Sequence, residues 1–196
     1  MVSSRGLVGT IIDVTAKGDL QRTIRNLDED DASAVLTLVN AVLARAKTTV
    51  TAPEEFTFTE DQERAYLRNF QHSQNSLALG SFMGGRLVGV LFLEQLPKIR
   101  ALHRAVVGFS VHPSMWAQGI GTELVRCLLA RLHSLQYIRQ IEASVLSNNV
   151  ASERILRSAG FRRVGRIPTA ILMDDGYLDE ILFVLDLGAT HPDESR

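Results

Sequence analysis

Apolar residues recur along this chain with two different periods. Val35, Leu38, Val39, Val42 and Leu43 follow the i, i+3, i+4, i+7, i+8 spacing of a helix lying on a core, with Asp30 or Asp31 as its cap. Thr59-x-x-Gln62 is a capping-box pattern that opens a second helix with Tyr66, Leu67 and Phe70 inward. Residues 119–133 give the clearest helix, with Ile120, Leu124, Val125, Leu128, Leu129 and Leu132 on one side. Residues 149–159 predict a fourth helix, stopped by Gly160.

Between these helices the pattern changes to β-type runs. Residues 21–27 predict a short strand. Residues 76–83 and 86–94 predict two strands joined by Gly84-Gly85, a hairpin signal. Residues 105–112 are a third strand ended by Pro113, and 138–146 a fourth. Residues 162–171 and 178–187 are the final pair, separated by Asp174-Asp175-Gly176. The order is β-α-α-β-β-β-α-β-α-β-β. Hairpins require antiparallel pairs, whereas strand–helix–strand around residues 119–133 requires a parallel crossover. An α/β (α+β) fold, with a mixed sheet and helices on both faces, satisfies both.

Residues 1–20 read as an N-terminal extension in which Ile11, Ile12 and Val14 fit either an edge strand or a loosely packed arm. Residues 21–187 form the domain, and 188–196 a polar tail. A chain of 196 residues with 45% hydrophobic content supports one core. A net charge of −1 argues against nucleic-acid binding, and no apolar run is long enough for a membrane span. The single cysteine, Cys127, lies in an apolar helix stripe and reads as a buried thiol. With no disulfide framework within the chain and no secretory signal, the expected location is cytoplasmic.

The chemistry begins at Trp116-Ala117-Gln118-Gly119-Ile120-Gly121-Thr122-Glu123, between a β-branched run and a helix. A glycine-rich strand-to-helix turn leaves backbone N–H groups free at the positive end of the helix, a site for phosphate. Leu124 occupies the third glycine position of a dinucleotide fingerprint, and no P-loop string occurs. Taken alone, the turn fits a nucleotide-like cofactor or simply a tight bend.

A second motif, Asn149-Val150-Ala151-Ser152-Glu153-Arg154-Ile155-Leu156-Arg157-Ser158-Ala159-Gly160-Phe161, follows in order. Together the two resemble the GCN5-related N-acetyltransferases (the GNAT family), whose motifs are Gln/Arg-x-x-Gly-x-Gly/Ala and Asn-x-x-Ala-x-x-x-Tyr-x-x-x-Gly-Phe. The resemblance covers about residues 21–187. It implies a largely antiparallel sheet of six to seven strands flanked by about four helices, and transfer of an acetyl group from acetyl-CoA to a primary amine. It places Phe109, Ser110 and Val111 against the cofactor's pantetheine arm. The amides of Gln118, Gly119, Gly121 and Thr122 meet its diphosphate, and Asn149 and Ser152 complete the cofactor site. No metal is implied. A homodimer is a further expectation, since dimers are common in the family.

Three positions depart from the pattern. Trp116 stands for Gln or Arg, Ser152 for Ala, and Leu156 for the Tyr that often protonates the departing thiolate. The strand before the turn also lacks the Glu often found there. The acidic candidates for a base are therefore Glu142 and Glu94, with ordered water as the alternative. His103 and His112 are nine apart, an odd separation that puts them on opposite faces of a regular strand and opposes shared metal ligation. His72, His133 and His191 lack ligand spacing. Residues 48–57 and 168–177, carrying Glu54, Glu55, Asp174 and Asp175, are expected to form the acceptor pocket for a small-molecule or peptide amine. The competing readings are a catalytically weak CoA-binding domain of the same fold and a nucleotide-binding α/β domain of another class.

Overall fold

The computed structural model describes residues 12–15, 21–135 and 137–188. Its centre is an eight-stranded sheet in the order β1-β2-β3-β4-β5-β6-β8-β7. The strands are β1 (Ile12–Thr15), β2 (Gln21–Asn26), β3 (Leu77–Met83), β4 (Arg86–Gln95), β5 (Arg104–Val111), β6 (Gln140–Leu146), β7 (Arg162–Met173) and β8 (Gly176–Asp186). The helices are α1 (Ala32–Leu43), α2 (Glu60–His72), α3 (Ile120–Arg131) and α4 (Val150–Ser158). From β2 onward the order follows the periodicity of the sequence. The eighth strand is β1, which pairs antiparallel with β2 and resolves the choice between edge strand and loose arm for residues 12–15. The reading of residues 189–196 as a polar tail lies outside the described residues.

Each helix pair covers one face. Leu27, Val35, Leu38, Val42, Leu67 and Phe70 pack with Ala78, Leu87 and Val90 beneath α1 and α2. Ile120, Leu124, Val125, Leu128 and Leu156 pack with Leu79, Leu91, Val107, Ile141 and Phe183 beneath α3 and α4. Alternation along the strands directs successive side chains to these two cores. Cys127 is 6% exposed within the second core, and burial pushes its thiol pKa up.

The sequence reading misplaces one cap. Asp28 and Asp31 together form a capping box on a 3-10 turn over residues 29–31 that leads into α1. Asp31 precedes α1 without a side-chain capping bond. Its carboxylate is engaged by Arg25, whose Nη1 and Nη2 donate to it at 2.6 and 2.7 Å.

Every neighbouring pair of strands is antiparallel except β5 and β6. Those two are parallel and share only three rungs: Arg104↔Gln140, Ala105↔Ile141 and Val106↔Glu142. Beyond that the strands part. β4 still accompanies β5 to Val111, and β8 accompanies β6 to Leu146. On the side facing the gap, the continuing backbones therefore have no ladder partner.

Candidate functional site

The gap between β5 and β6 opens into a cavity of about 130 Å³. Val107, Gly108 and Phe109 line it from β5, and Ala143–Leu146 from β6. Asn149, Ser152 and Leu156 close it from α4, while Thr48 and Val50 cover it from the α1–α2 connection. Three expected site residues thus meet at one place, Phe109, Asn149 and Ser152, together with Leu156, the position of the missing phenol. Ser110 and Val111 do not line the cavity; Val107 and Gly108 do, nearer the point where the strands part. Alternation alone could not locate that point, because it depends on a partner strand some 35 residues away.

The turn after β5 supplies the second part. Gly119 caps α3 with φ +79, and a Cβ built on it would meet nothing within 4 Å. Ala117 also adopts a left-handed conformation, at φ +60, which is uncommon for a residue with a Cβ. The first intrahelical bond of α3 comes from the Glu123 amide to the Gly119 carbonyl, at 3.0 Å. Among the described residues, the amides of residues 117–122 donate to no protein acceptor. They lie at the positive end of a 12-residue helix, with open space at Gly119. This geometry fits an anion such as a diphosphate.

Gly121 has a different reason to be glycine. A Cβ there would lie 3.0 Å from Ile155 Cδ1 and 3.5 Å from a ring carbon of Phe109. It lets α3 approach α4 and the end of β5 closely. Trp116 also gains a structural role invisible in the motif. Its indole Nε1 donates to the Val111 carbonyl at 2.7 Å, fastening the turn to the last residue of β5. His112 caps the next turn, its Nδ1 accepting from the Ser114 amide at 3.3 Å. His103 and His112 lie just outside the two ends of β5. Among the described residues, no group of His, Cys, Asp or Glu is arranged to hold a metal ion.

Asn149 caps α4, its side-chain oxygen accepting from the Ser152 amide at 3.1 Å. Leu156 is fully buried at the inner end of the cavity. No phenol projects from this position, so a proton donor would have to come from elsewhere.

Glu94, Val106 and Glu142 form one rung across three strands. Residues paired across a ladder share a face, so both carboxylates lie on the α1/α2 side, flanking an apolar residue that is 42% exposed. Their Cα atoms are two strand spacings apart, roughly 10 Å. Glu142 accepts from Arg104 Nε at 2.5 Å. Glu94 accepts from the Tyr66 hydroxyl at 2.5 Å. Neither carboxylate lines the cavity, yet Glu142 belongs to the last rung before the strands separate. The value of Tyr66 as a neighbour of Glu94 was not legible in sequence, because the two are joined only by the packing of α2 on the sheet.

Lys47, just before the first segment expected around the acceptor, reaches the second. Lys47 Nζ lies 3.3 Å from Asp175, linking the start of the α1–α2 connection to the β7–β8 turn. Asn148 Nδ2 donates to the Lys47 carbonyl at 2.8 Å. Within the first segment, Glu55 is occupied in capping its own turn through the Ala52 amide, at 2.9 Å. In the second, Thr169 is strained at φ +49 and its backbone N–H donates a hydrogen bond to Asp179 Oδ1, at 2.8 Å. That bond, with Arg166 beside it, keeps the Asp179 carboxyl below its ordinary range.

A family model described as an acetyltransferase (GNAT) domain matches residues 21–162. Among curated proteins, Probable N-acetyltransferase YjcK of Bacillus subtilis (strain 168) is 36% identical over 81 residues. That match spans 41% of this chain and 44% of the relative, less than half of each. An acetyltransferase of the GNAT family from Streptococcus pneumoniae superposes with a TM-score of 0.81 at 18% identity, over 85% of this chain and 99% of that one. YncA from Salmonella typhimurium, solved with its cofactor acetyl-CoA, superposes with a TM-score of 0.78 at 22% identity, over 88% and 98% of the chains. At these identities the solved structures show a shared fold.

Proposed function

This chain belongs to the GNAT acetyltransferase family, and from that premise we propose that it transfers an acetyl group from acetyl-CoA to a primary amine. The acceptor is a small molecule or an exposed protein amine, and the expected compartment is the cytoplasm. The domain is assigned to residues 21–187. The observation that carries the reading is the coincidence of two features on one strand. β5 ends in a turn with unsatisfied amides at a helix N-terminus, and the same strand borders an open cleft to β6.

In this reading the amides of Gln118, Gly119, Ile120, Gly121 and Thr122 receive the diphosphate. The gap-facing backbone of Val107–Phe109, continuing toward Ser110 and Val111, receives the amide-bearing pantetheine arm as a further strand would. Asn149 and Ser152 border the same arm from α4. Acetyl-CoA, when bound, supplies the acyl group as a thioester. An aliphatic amine, whose ordinary pKa is roughly 8 to 10.4, is mostly ammonium at neutrality and must lose a proton before it attacks. Glu142 is placed first for that task, directly or through a water, because it adjoins the mouth of the cleft. Glu94 is the second choice. A thiol with an ordinary pKa of roughly 8.5 leaves readily as thiolate, so Leu156 in place of a phenol is compatible with turnover. Ser152 or solvent finishes the protonation.

The test is a titration with CoA, NAD and ATP followed by acetyl transfer across an amine panel. Binding of CoA with transfer supports the reading. Binding of NAD or ATP without CoA overturns it. CoA binding with neither transfer nor hydrolysis favours a binding module of the same fold, the reading to which the absent phenol at Leu156 would point.

A further inference from the structure

Arg22 is a buried cation with no part in the acetyl transfer itself. It is 3% exposed on β2. Its Nη1 donates to Glu123 Oε2 in the first turn of α3, and the Glu123 side chain is only 18% accessible. Among the described residues, Arg22 Nε is buried without a hydrogen-bond partner. A guanidinium so withdrawn from water depends on its carboxylate, and removing either member leaves the other uncompensated.

The pair belongs to a two-point hold on α3. Arg22 and Ile24 share a face of β2, and Ile24 is fully buried in the core beneath α3 and α4. Asn26 continues that face, and its Oδ1 accepts from Arg131 Nη1 at the other end of α3. Between the two contacts α3 rises roughly 12 Å and β2 about 13 Å, so the helix is fastened to the strand at matched points.

The Arg22 contact falls beside the turn after β5. Glu123 follows Thr122, and its own amide makes the first intrahelical bond of α3. Helix side chains lean toward the N-terminus, which carries this carboxylate back toward the amides of residues 118–122. It is the acidic residue of that first turn. An unbalanced carboxylate there competes with an arriving anion for the positive helix end and repels it.

We propose that Arg22 is a positioning residue for the cofactor: by pairing with Glu123 it cancels that charge and leaves the helix end positive toward the diphosphate. Arg22 acts through Glu123 and the turn, without touching the cofactor. The inference rests on the acetyl-CoA reading; the ion pair does not.

The experiment measures CoA Kd by calorimetry, and acetyl transfer from acetyl-CoA and from S-acetylpantetheine, which has the thioester arm without the diphosphate. Arg22→Met is expected to raise the CoA Kd and the KM for acetyl-CoA by about tenfold, with kcat changed by less than about threefold. Its kcat/KM for S-acetylpantetheine stays within about threefold of wild type. Adding Glu123→Gln to Arg22→Met restores the CoA Kd to within about threefold. Glu123→Gln alone binds CoA at least as tightly as wild type, because the charge of Arg22 is then unopposed. A purely mechanical anchor would instead loosen CoA in each variant and impair both acyl donors alike. Unchanged CoA affinity in Arg22→Met, a loss that Glu123→Gln does not relieve, or an equal loss on S-acetylpantetheine overturns the proposal. If Arg22→Met does not fold, Glu123→Gln decides: CoA affinity held or raised supports the charge role, and a clear loss overturns it. Wild-type protein that binds no CoA contradicts the acetyl-transfer reading and overturns the inference with it. CoA binding indifferent to Arg22 contradicts the inference alone.

Discussion

The indole Nε1 of Trp116 donates a 2.7 Å hydrogen bond to the carbonyl of Val111 and so ties the phosphate-type turn to the last residue of β5. The family motif has Gln or Arg at this position, and here an aromatic donor fastens the turn. Trp116→Phe keeps the ring and removes the donor. Stability is expected to fall by about 1 kcal/mol in urea melts, the usual net worth of one such bond. CoA affinity measured by calorimetry falls severalfold with it, because the amides lose their anchor.

Gly119 and Gly121 should respond differently to alanine. At Gly119 the φ of +79 strains any side chain although the space is open, so Gly119→Ala is expected to cost about 1–2 kcal/mol and to weaken CoA binding by shifting the amides. At Gly121 the new methyl lies 3.0 Å from the tip of Ile155 and must push α4 away. Gly121→Ala therefore lowers Tm first and CoA affinity second. Melting and calorimetry on both variants separate the two effects.

Glu142→Gln is expected to lower kcat/KM by about a hundredfold or more if the carboxylate takes the amine proton. Its ion pair with Arg104 is partly exposed, with side chains 27% and 39% accessible, so stability should change by less than about 1 kcal/mol. A loss confined to KM would assign Glu142 to acceptor binding and leave proton removal to water.

Leu156→Tyr restores a phenol where the family pattern has one. Turnover is expected to rise by less than about tenfold, since a thiolate leaves without help. The site is fully buried, so overpacking is expected to cost about 1–3 kcal/mol in a denaturant melt. A far larger gain in single-turnover rate would show that protonation of the leaving group limits the reaction.

Burial raises the pKa of Glu63 above its ordinary value of 4.5. As pH rises, the unfolded chain ionises first, so wild-type stability falls relative to a neutral side chain between the unfolded and folded values. Glu63→Gln should therefore match the wild type in acid and exceed it in stability at neutrality. Urea melts at both conditions check this. A difference independent of pH would mean that the carboxylate is not desolvated.

Element type and order were legible because periodicity is strong where a helix or strand has one buried side, as in Ile120–Leu128 and in the Gly84-Gly85 hairpin. The second family motif led to the cavity through Asn149, Ser152 and Leu156, and the strand before the first motif through Phe109. What escaped the sequence depends on contacts between distant segments. The start of the cleft at Val107 and Gly108 is set by where β6 leaves β5. The Arg25–Asp31 pair is set by a strand side chain reaching the turn before α1, and the Tyr66–Glu94 bond by how α2 lies on the sheet. None of these leaves a periodic or spacing signal.

Backbone amide shifts during a CoA titration of the ¹⁵N-labelled protein test the central claim most directly. The amides of Gln118, Gly119, Ile120, Gly121 and Thr122 should move together and saturate with one dissociation constant, along with those of Val107–Phe109. Saturable CoA binding that leaves the amides of residues 118–122 unmoved would contradict the account.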